Sequence, residues 1–292
     1  MIRHPVTHER LEELVRAHDP TWPDRSRERT EAFRAAGCYR EKSGIWGEVK
    51  PVFMALQHAK CAYCERRLAG LPYGTIAHDV EHYRPKSEVK RWPSPRIARE
   101  RQIAYDFGTG EERKEGYYLL AYHPWNYATA CKTCNSALKS SFFPVAGPRA
   151  TGGEDPRRMK SEKPFLVYPL GDLDDDPETV ITFVGILPVP RARSGHRFRR
   201  AQVTIDFFEL DTREELLRER AEQLRALHMA LRLLETGTAT DRVEATAAIE
   251  GHKARHSPHA GCVRAFHALY ERDRAEAEEI FALIRVYLEP QI

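Results

Sequence analysis

The chain has 292 residues, 41% of them hydrophobic, enough to bury the core of one large domain or two ordinary ones. Its 46 lysines and arginines nearly balance 43 acids, so a net charge of +3 does not by itself mark a nucleic-acid binder. No run approaches the ~18 consecutive apolar residues of a membrane span, and the opening Met1-Ile-Arg-His-Pro5 lacks a secretory core; this predicts a cytoplasmic protein with reduced thiols and no membrane partner.

From Leu11 to His58 the composition predicts helices, broken at Asp19-Pro20, Trp22-Pro23 and Gly44, with Trp46, Val49, Val52, Phe53 and Leu56 at helical spacing. This helical lead-in, residues 1–58, runs into a first hook, Cys61-Ala-Tyr-Cys64. Turn signals follow at Gly70, Pro72 and Gly74, then a segment from Ile76 to Tyr83, then a basic loop interrupted by Pro93 and Pro95. Residues 84–101 carry seven basic residues against two acids. Gly116 to Tyr122 reads as a strand or a short buried segment, and after a second hook, Cys131-Lys-Thr-Cys134, a helix can begin over Ser136–Lys139.

A charged loop from Gly147 to Lys163 is the predicted linker, and Pro164–Pro169 and Thr179–Gly185 read as short strands. Between them, Asp172 to Asp176 lacks the Asp-x-Asp-x-Asp-Gly frame of a calcium loop and reads as a solvated turn. Arg191–Arg200 adds five arginines and no acid. From Asp211 the chain reads as helix, capped by Asp211 or Thr212, with Leu216, Leu217, Leu224, Leu227, Leu231 and Leu234 on one face. A last helix, about His259 to Leu288, carries a second apolar stripe. The layout is therefore 1–58, a core over 59–146, linker and short strands over 147–210, and a helical region over 211–292.

The chemistry concentrates in the core. Two Cys-x-x-Cys turns, Cys61/Cys64 and Cys131/Cys134, can complete a tetrahedral S₄ shell, which leaves no open position and makes the Zn²⁺ structural. The 66 residues between the hooks exceed an ordinary zinc-finger loop, so something useful is inserted there. Cys38 and Cys262 stand apart and read as small hydrophobes. Within the insert, Glu81-His82 pairs a carboxylate able to hold Mg²⁺ or Mn²⁺ with an imidazole able to take a proton from water. Neighbours on a strand face opposite ways, so the two need a bend if both are to meet one phosphate. Asn135 follows the last hook cysteine and can offer its amide oxygen to the same ion. Asn126 is suited to ordering the loop that carries His82. Arg84, Lys86 and Lys139 are placed to approach phosphate.

These motifs resemble the HNH, or His-Me finger, nuclease family. They are more closely similar to the HNH nucleases of Septu-type anti-phage systems, through Cys61-Ala-Tyr-Cys-Glu65, Val80-Glu-His-Tyr-Arg-Pro-Lys86, Leu120-Ala-Tyr122, Cys131-Lys-Thr-Cys-Asn135 and Phe143-Pro144, extending into Pro164–Pro169 and Val203–Leu210. The resemblance implies an α+β, mainly helical chain with a ββα-metal core stapled by Cys₄ zinc, between N- and C-terminal helical extensions. It also implies His82 as general base, Glu81 and Asn135 as ligands of a catalytic Mg²⁺ or Mn²⁺, and Asn126 as the residue ordering the His loop. DNA or RNA would be the substrate and an ATPase of the same system the partner, docked on the C-terminal helices, although core packing explains their stripes equally well. Many family members have Asp or His where this chain has Glu81, and His where it has Asn135. The alternative is a non-catalytic zinc-stabilised module that binds nucleic acid or serves as a scaffold.

Overall fold

The computed structural model describes residues 1–68 and 78–288; the turn signals at Gly70, Pro72 and Gly74 and the start of the Ile76–Tyr83 segment lie outside the described residues. The chain is α+β, with helices throughout and two small antiparallel sheets among the described residues. It forms two compact units, one of His4–Ala62 and Leu68–Asp175, the other of Met1–Arg3, Tyr63–Arg67 and Asp176–Ile292. The division falls at Asp175–Asp176, inside the stretch read above as linker and short strands. Among the described residues no helix is long and apolar enough to cross a membrane.

In the His4–Asp175 unit, α1 (His8–His18) starts where the Thr7 hydroxyl accepts from the Arg10 N–H at 3.2 Å, and it buries Leu11 and Val15, one turn apart. Helix α2 (Trp22–Ala36) opens with Pro23 and closes on Gly37 at φ +66°, burying Trp22 and Phe33. A single tight turn, Trp46–Val49, leads into α3 (Lys50–Leu56), where Val52 and Phe53 are buried. A short helix, α4 (Pro95–Glu100), lies in the basic loop under a Ser94 cap.

The sheet that positions the chemistry has two strands. β1 (His78–His82) pairs antiparallel with β2 (Tyr127–Cys131), His82 opposite Tyr127 and His78 opposite Cys131. Of the two readings of Gly116–Tyr122, the short buried segment is the one found, as a helical turn at Tyr118–Leu120 rather than a strand. After β2 the chain winds at once into α5 (Thr133–Lys139), a π-type segment that starts three residues earlier than the sequence reading placed it; its wide turn shows in the 2.8 Å bond from Ser140 N–H to Asn135 O.

Gln57, at the end of α3, fastens this sheet from below. Its amide donates to the carbonyls of Lys60 and Thr129 at 3.0 and 2.9 Å, and its oxygen accepts the Thr129 N–H at 2.7 Å, all out of solvent. Leucine there strands the buried Thr129 N–H and removes one donor each from the Lys60 and Thr129 carbonyls, the latter still bonded to the Ala62 N–H, so Gln57→Leu is expected to lower unfolding free energy by about 1–3 kcal/mol in a urea titration. An unchanged midpoint would show that water reaches the site.

In the second unit, β3 (Ile181–Val184) and β4 (Leu187–Pro190) form a hairpin around Gly185 at φ +57°. Leu217, Leu224, Leu227 and Leu231 of the long helix Glu214–Thr236 pack with Val263 and Phe266, so the predicted stripes are core. That helix starts at Glu214 with no side-chain cap from Asp211 or Thr212. The last predicted helix is two, Ala260–Arg272 and Arg274–Ile284: extended Asp273 ends the first and caps the second through the Glu276 N–H. Cys262 is buried, its thiol pushed up to about 12 by burial, whereas Cys38 is only half-buried. The acidic turn holds backbone: Asp174 accepts the Tyr168 N–H at 2.9 Å.

Candidate functional site

The sulfurs of Cys61, Cys64, Cys131 and Cys134 all lie within 4.8 Å of one another and all four residues are buried. Tetrahedral Zn–S bonds of ~2.3 Å put sulfurs about 3.8 Å apart, so a small contraction suffices for the cluster to hold an ion such as Zn²⁺. The Cys134 N–H already points at Cys131 Sγ, 3.5 Å away, a contact that favours thiolate over thiol. The cluster is closed by its four sulfurs and sealed from solvent, the chemistry of a structural metal.

A second site opens beside β1. A pocket of about 190 Å³ is lined by Glu81, His82 and Asn135 together with Trp46, Lys86 and Asp79, and no cysteine is among its lining residues. Glu81 and His82 are neighbours on a strand yet share this pocket because β1 ends at His82 and the chain bends at Tyr83-Arg84. Asp79, two residues before Glu81, lies on the same strand face and adds a second carboxylate that sequence reasoning missed, though i, i+2 alternation signals it.

Burial dominates the electrostatics here. The Glu81 carboxyl is pushed up to about 7 by burial, against the opposing pull of Lys139 and Lys86. Lys139 Nζ lies 3.1 Å from Glu81 Oε1, an ion pair whose geometry leaves that oxygen without an aligned hydrogen bond. The His82 ring sits edge-on to Trp46 and Tyr127, with centroids 4.9 and 5.1 Å away. Burial first, then Lys86, holds its pKa well below the usual histidine range, so the imidazole is neutral at pH 7. Its Nε2 lies 3.0 Å from the Ala121 carbonyl, which only accepts; Nε2 therefore carries the proton and Nδ1 is the basic nitrogen.

Lys86 is held over the Trp46 ring, 4.3 Å from its centroid, with Tyr39 at 5.4 Å, and burial lowers its pKa. The Trp46 ring in turn lies so close to Gly44 that a Cβ there would come within 1.7 Å of it. At the pocket rim Ser140 adopts φ +42°, a left-handed conformation that a non-glycine residue holds only against strain. Asn126 is fully buried and clamps the segment after His82: its oxygen accepts the Arg84 N–H at 2.7 Å while its amide donates to Arg84 O and Leu120 O at 2.9 and 3.1 Å.

Two of the three expected phosphate contacts lie elsewhere. Arg84 is buried, its Nε 2.8 Å from Glu162 and its guanidinium among Tyr83, Tyr117 and Phe143, so it cannot lie against a nucleic-acid backbone. Lys139 is likewise fully buried, spent on Glu81 and on the His82 carbonyl at 3.3 Å. Both were read from charge and from position along the chain, and a cation beside a buried acid carries the same sequence signal. Only Lys86 of the three lines the pocket. Truncating Arg84 leaves the Glu162 carboxylate buried with only the Tyr117 hydroxyl and the Ala150 N–H as partners. Arg84→Ala is expected to lose about 3–5 kcal/mol in equilibrium unfolding, while a loss under 1 kcal/mol would mean that Glu162 is solvated. Gln57 and Trp46 also escaped the sequence reading, since an amide at a helix end and an aromatic at helical spacing carry no mark of a site.

Comparison with protein-family models, curated proteins and solved structures returns no match.

Proposed function

We propose that this chain is a metal-dependent endonuclease of the HNH type that hydrolyses phosphodiesters of DNA, with β1, β2 and α5 as its ββα-metal finger and Zn²⁺ in the Cys₄ cluster. The convergence of Glu81, His82 and Asn135 on one pocket carries the reading. The donor set fits a hard divalent ion: Glu81 Oε1 is a buried carboxylate oxygen without an aligned hydrogen bond, and Asp79 and Asn135 add further oxygens. Mg²⁺ or Mn²⁺ held by Glu81 and Asn135 would stabilise charge growing on the scissile phosphate. His82 takes the proton of the attacking water at Nδ1, and the Ala121 carbonyl fixes the ring in the tautomer that makes this possible. Asn126 keeps the His82 loop in register, and Lys86 presents a cation to the phosphate from its seat over Trp46.

Within this reading the chain is the effector of an anti-phage system and works beside an ATPase, for which the motif resemblance is the support; exposed Met229, Val243 and Leu283 offer that partner apolar surface. The Lys139–Glu81 ion pair favours the rival, a non-catalytic zinc module, because it already neutralises the carboxylate that the ion needs. Isothermal titration of Mn²⁺ into wild type and Glu81→Ala separates the two. The nuclease reading expects one Mn²⁺ site per chain, weakened at least about ten-fold by the substitution. Identical isotherms would favour the rival.

A further inference from the structure

The reactive pocket does not end at its own walls. Its lining residues Lys86-Ser87 and Ser140-Ser141 run directly into Glu88–Arg91 and Phe142, which line a second and larger cleft of about 780 Å³. The two segments are tied where the Lys90 N–H donates to Ser141 O at 3.0 Å. The third wall is Glu111–Lys114, joined to the first by the Val89–Arg113 bridge. Two walls of the cleft are thus chain neighbours of the pocket's walls.

Its surface combines two chemistries. Pro95 and the half-buried Phe142 are apolar, over the buried Val89, and Lys90, Arg91, Arg113 and Lys114 are exposed cations. The acids offset part of this charge: Glu88 pairs with Lys90 at 3.2 Å and Glu111 lies 3.9 Å from Arg91, while Arg113 and Lys114, with Glu112 beside them in the lining, have no ion pair among the described residues. An apolar surface for bases beside cations for phosphates is what an unpaired polynucleotide requires. A duplex keeps its bases stacked inside and offers a convex row of phosphates, so one strand must separate locally to bring its phosphate down to Glu81 and His82, 3% and 7% exposed.

We propose that this cleft binds an unpaired stretch of nucleic acid, DNA or RNA, on one side of the scissile phosphate, with bases against Phe142 and phosphates on Arg113 and Lys114. The proposal rests on the nuclease reading for its orientation toward His82, and its test is independent of cleavage. Fluorescence anisotropy of the full chain is measured with labelled 20-nucleotide single-stranded DNA, single-stranded RNA and duplex DNA, in Ca²⁺ at fixed salt. Wild type is expected to bind at least one single strand about ten-fold or more tightly than the duplex, and the two single-stranded arms decide between DNA and RNA.

The exposed pair Arg113→Glu/Lys114→Glu is expected to lose that binding by ten-fold or more, with its melting temperature and Mn²⁺ isotherm unchanged. Phe142→Leu, which keeps apolar bulk but removes the ring, is expected to lose roughly five-fold, the scale of one base–aromatic stack. Duplex affinity equal to that of both single strands, or charge reversal without effect on either, overturns the proposal. If charge reversal abolishes strand binding while His82→Ala and wild type both leave nucleic acid uncut, the cleft stands and the nuclease reading falls.

Discussion

Replacing Cys131 with serine is expected to strip the metal from the Cys61, Cys64, Cys131 and Cys134 cluster and to unfold the unit that carries β1 and β2. The four buried sulfurs lie within 4.8 Å of one another, and without an ion between them they bring four thiolates together out of water. Structural zinc binding supplies about 10–16 kcal/mol in small Cys-rich folds, as much as the whole stability of an ordinary domain. Serine offers a poorer ligand and leaves three thiols buried, so the loss exceeds that of any cavity-forming substitution. The measurement is zinc per chain by mass spectrometry together with thermal melting. Wild type should carry one Zn²⁺, and the variant should be depleted and melt tens of degrees lower or fail to accumulate in soluble form. A variant that keeps full zinc and the wild-type melting temperature would show that three sulfurs suffice.

His82→Ala is expected to reduce plasmid nicking in Mg²⁺ or Mn²⁺ by about 10²–10⁴-fold, the usual worth of a positioned general base. The ring is packed edge-on between Trp46 and Tyr127, so alanine also removes buried contacts and lowers stability. His82→Asn fills more of that space and supplies a polar group toward the Ala121 carbonyl but no base, and it should be equally inactive while melting closer to wild type. Both variants should keep the Mn²⁺ isotherm, because the ion is assigned to Glu81 and Asn135. Wild-type nicking by either variant would sink the assignment of His82. Lost nicking with lost Mn²⁺ binding would make it a ligand instead.

The α+β class and the Cys₄ cluster were legible in the sequence because both rest on local rules: apolar spacing in helices, and two thiols brought together by each tight turn. Glu81, His82 and Asn135 could be named but not placed. Their meeting depends on the β1–β2 register and on the bend after His82, which no local pattern specifies. Arg84 and Lys139 show the opposite failure. Charge read along a chain cannot separate a cation that faces solvent from one buried against an acid far away in sequence, as Lys139 is against Glu81 and Arg84 against Glu162. The break at Asp273 was hidden because the apolar stripe continues across it. Gln57 was invisible for a related reason: its three partners come from Lys60 and Thr129, and nothing at position 57 announces them.

The pairing of β1 with β2 also acts as a ruler. His78 stands opposite Cys131 at one end and His82 opposite Tyr127 at the other, so four strand intervals, about 13 Å at ~3.3 Å each, separate the sulfur end of the ladder from the imidazole end. A two-stranded ladder can twist but scarcely stretch. The position of the pocket that holds His82 is thereby referenced to the Cys₄ cluster at the other end, and the length of a five-residue strand sets the tolerance of the whole arrangement. One residue gained or lost within Tyr127–Cys131 would turn Cys131 to the opposite face and misalign both ends at once.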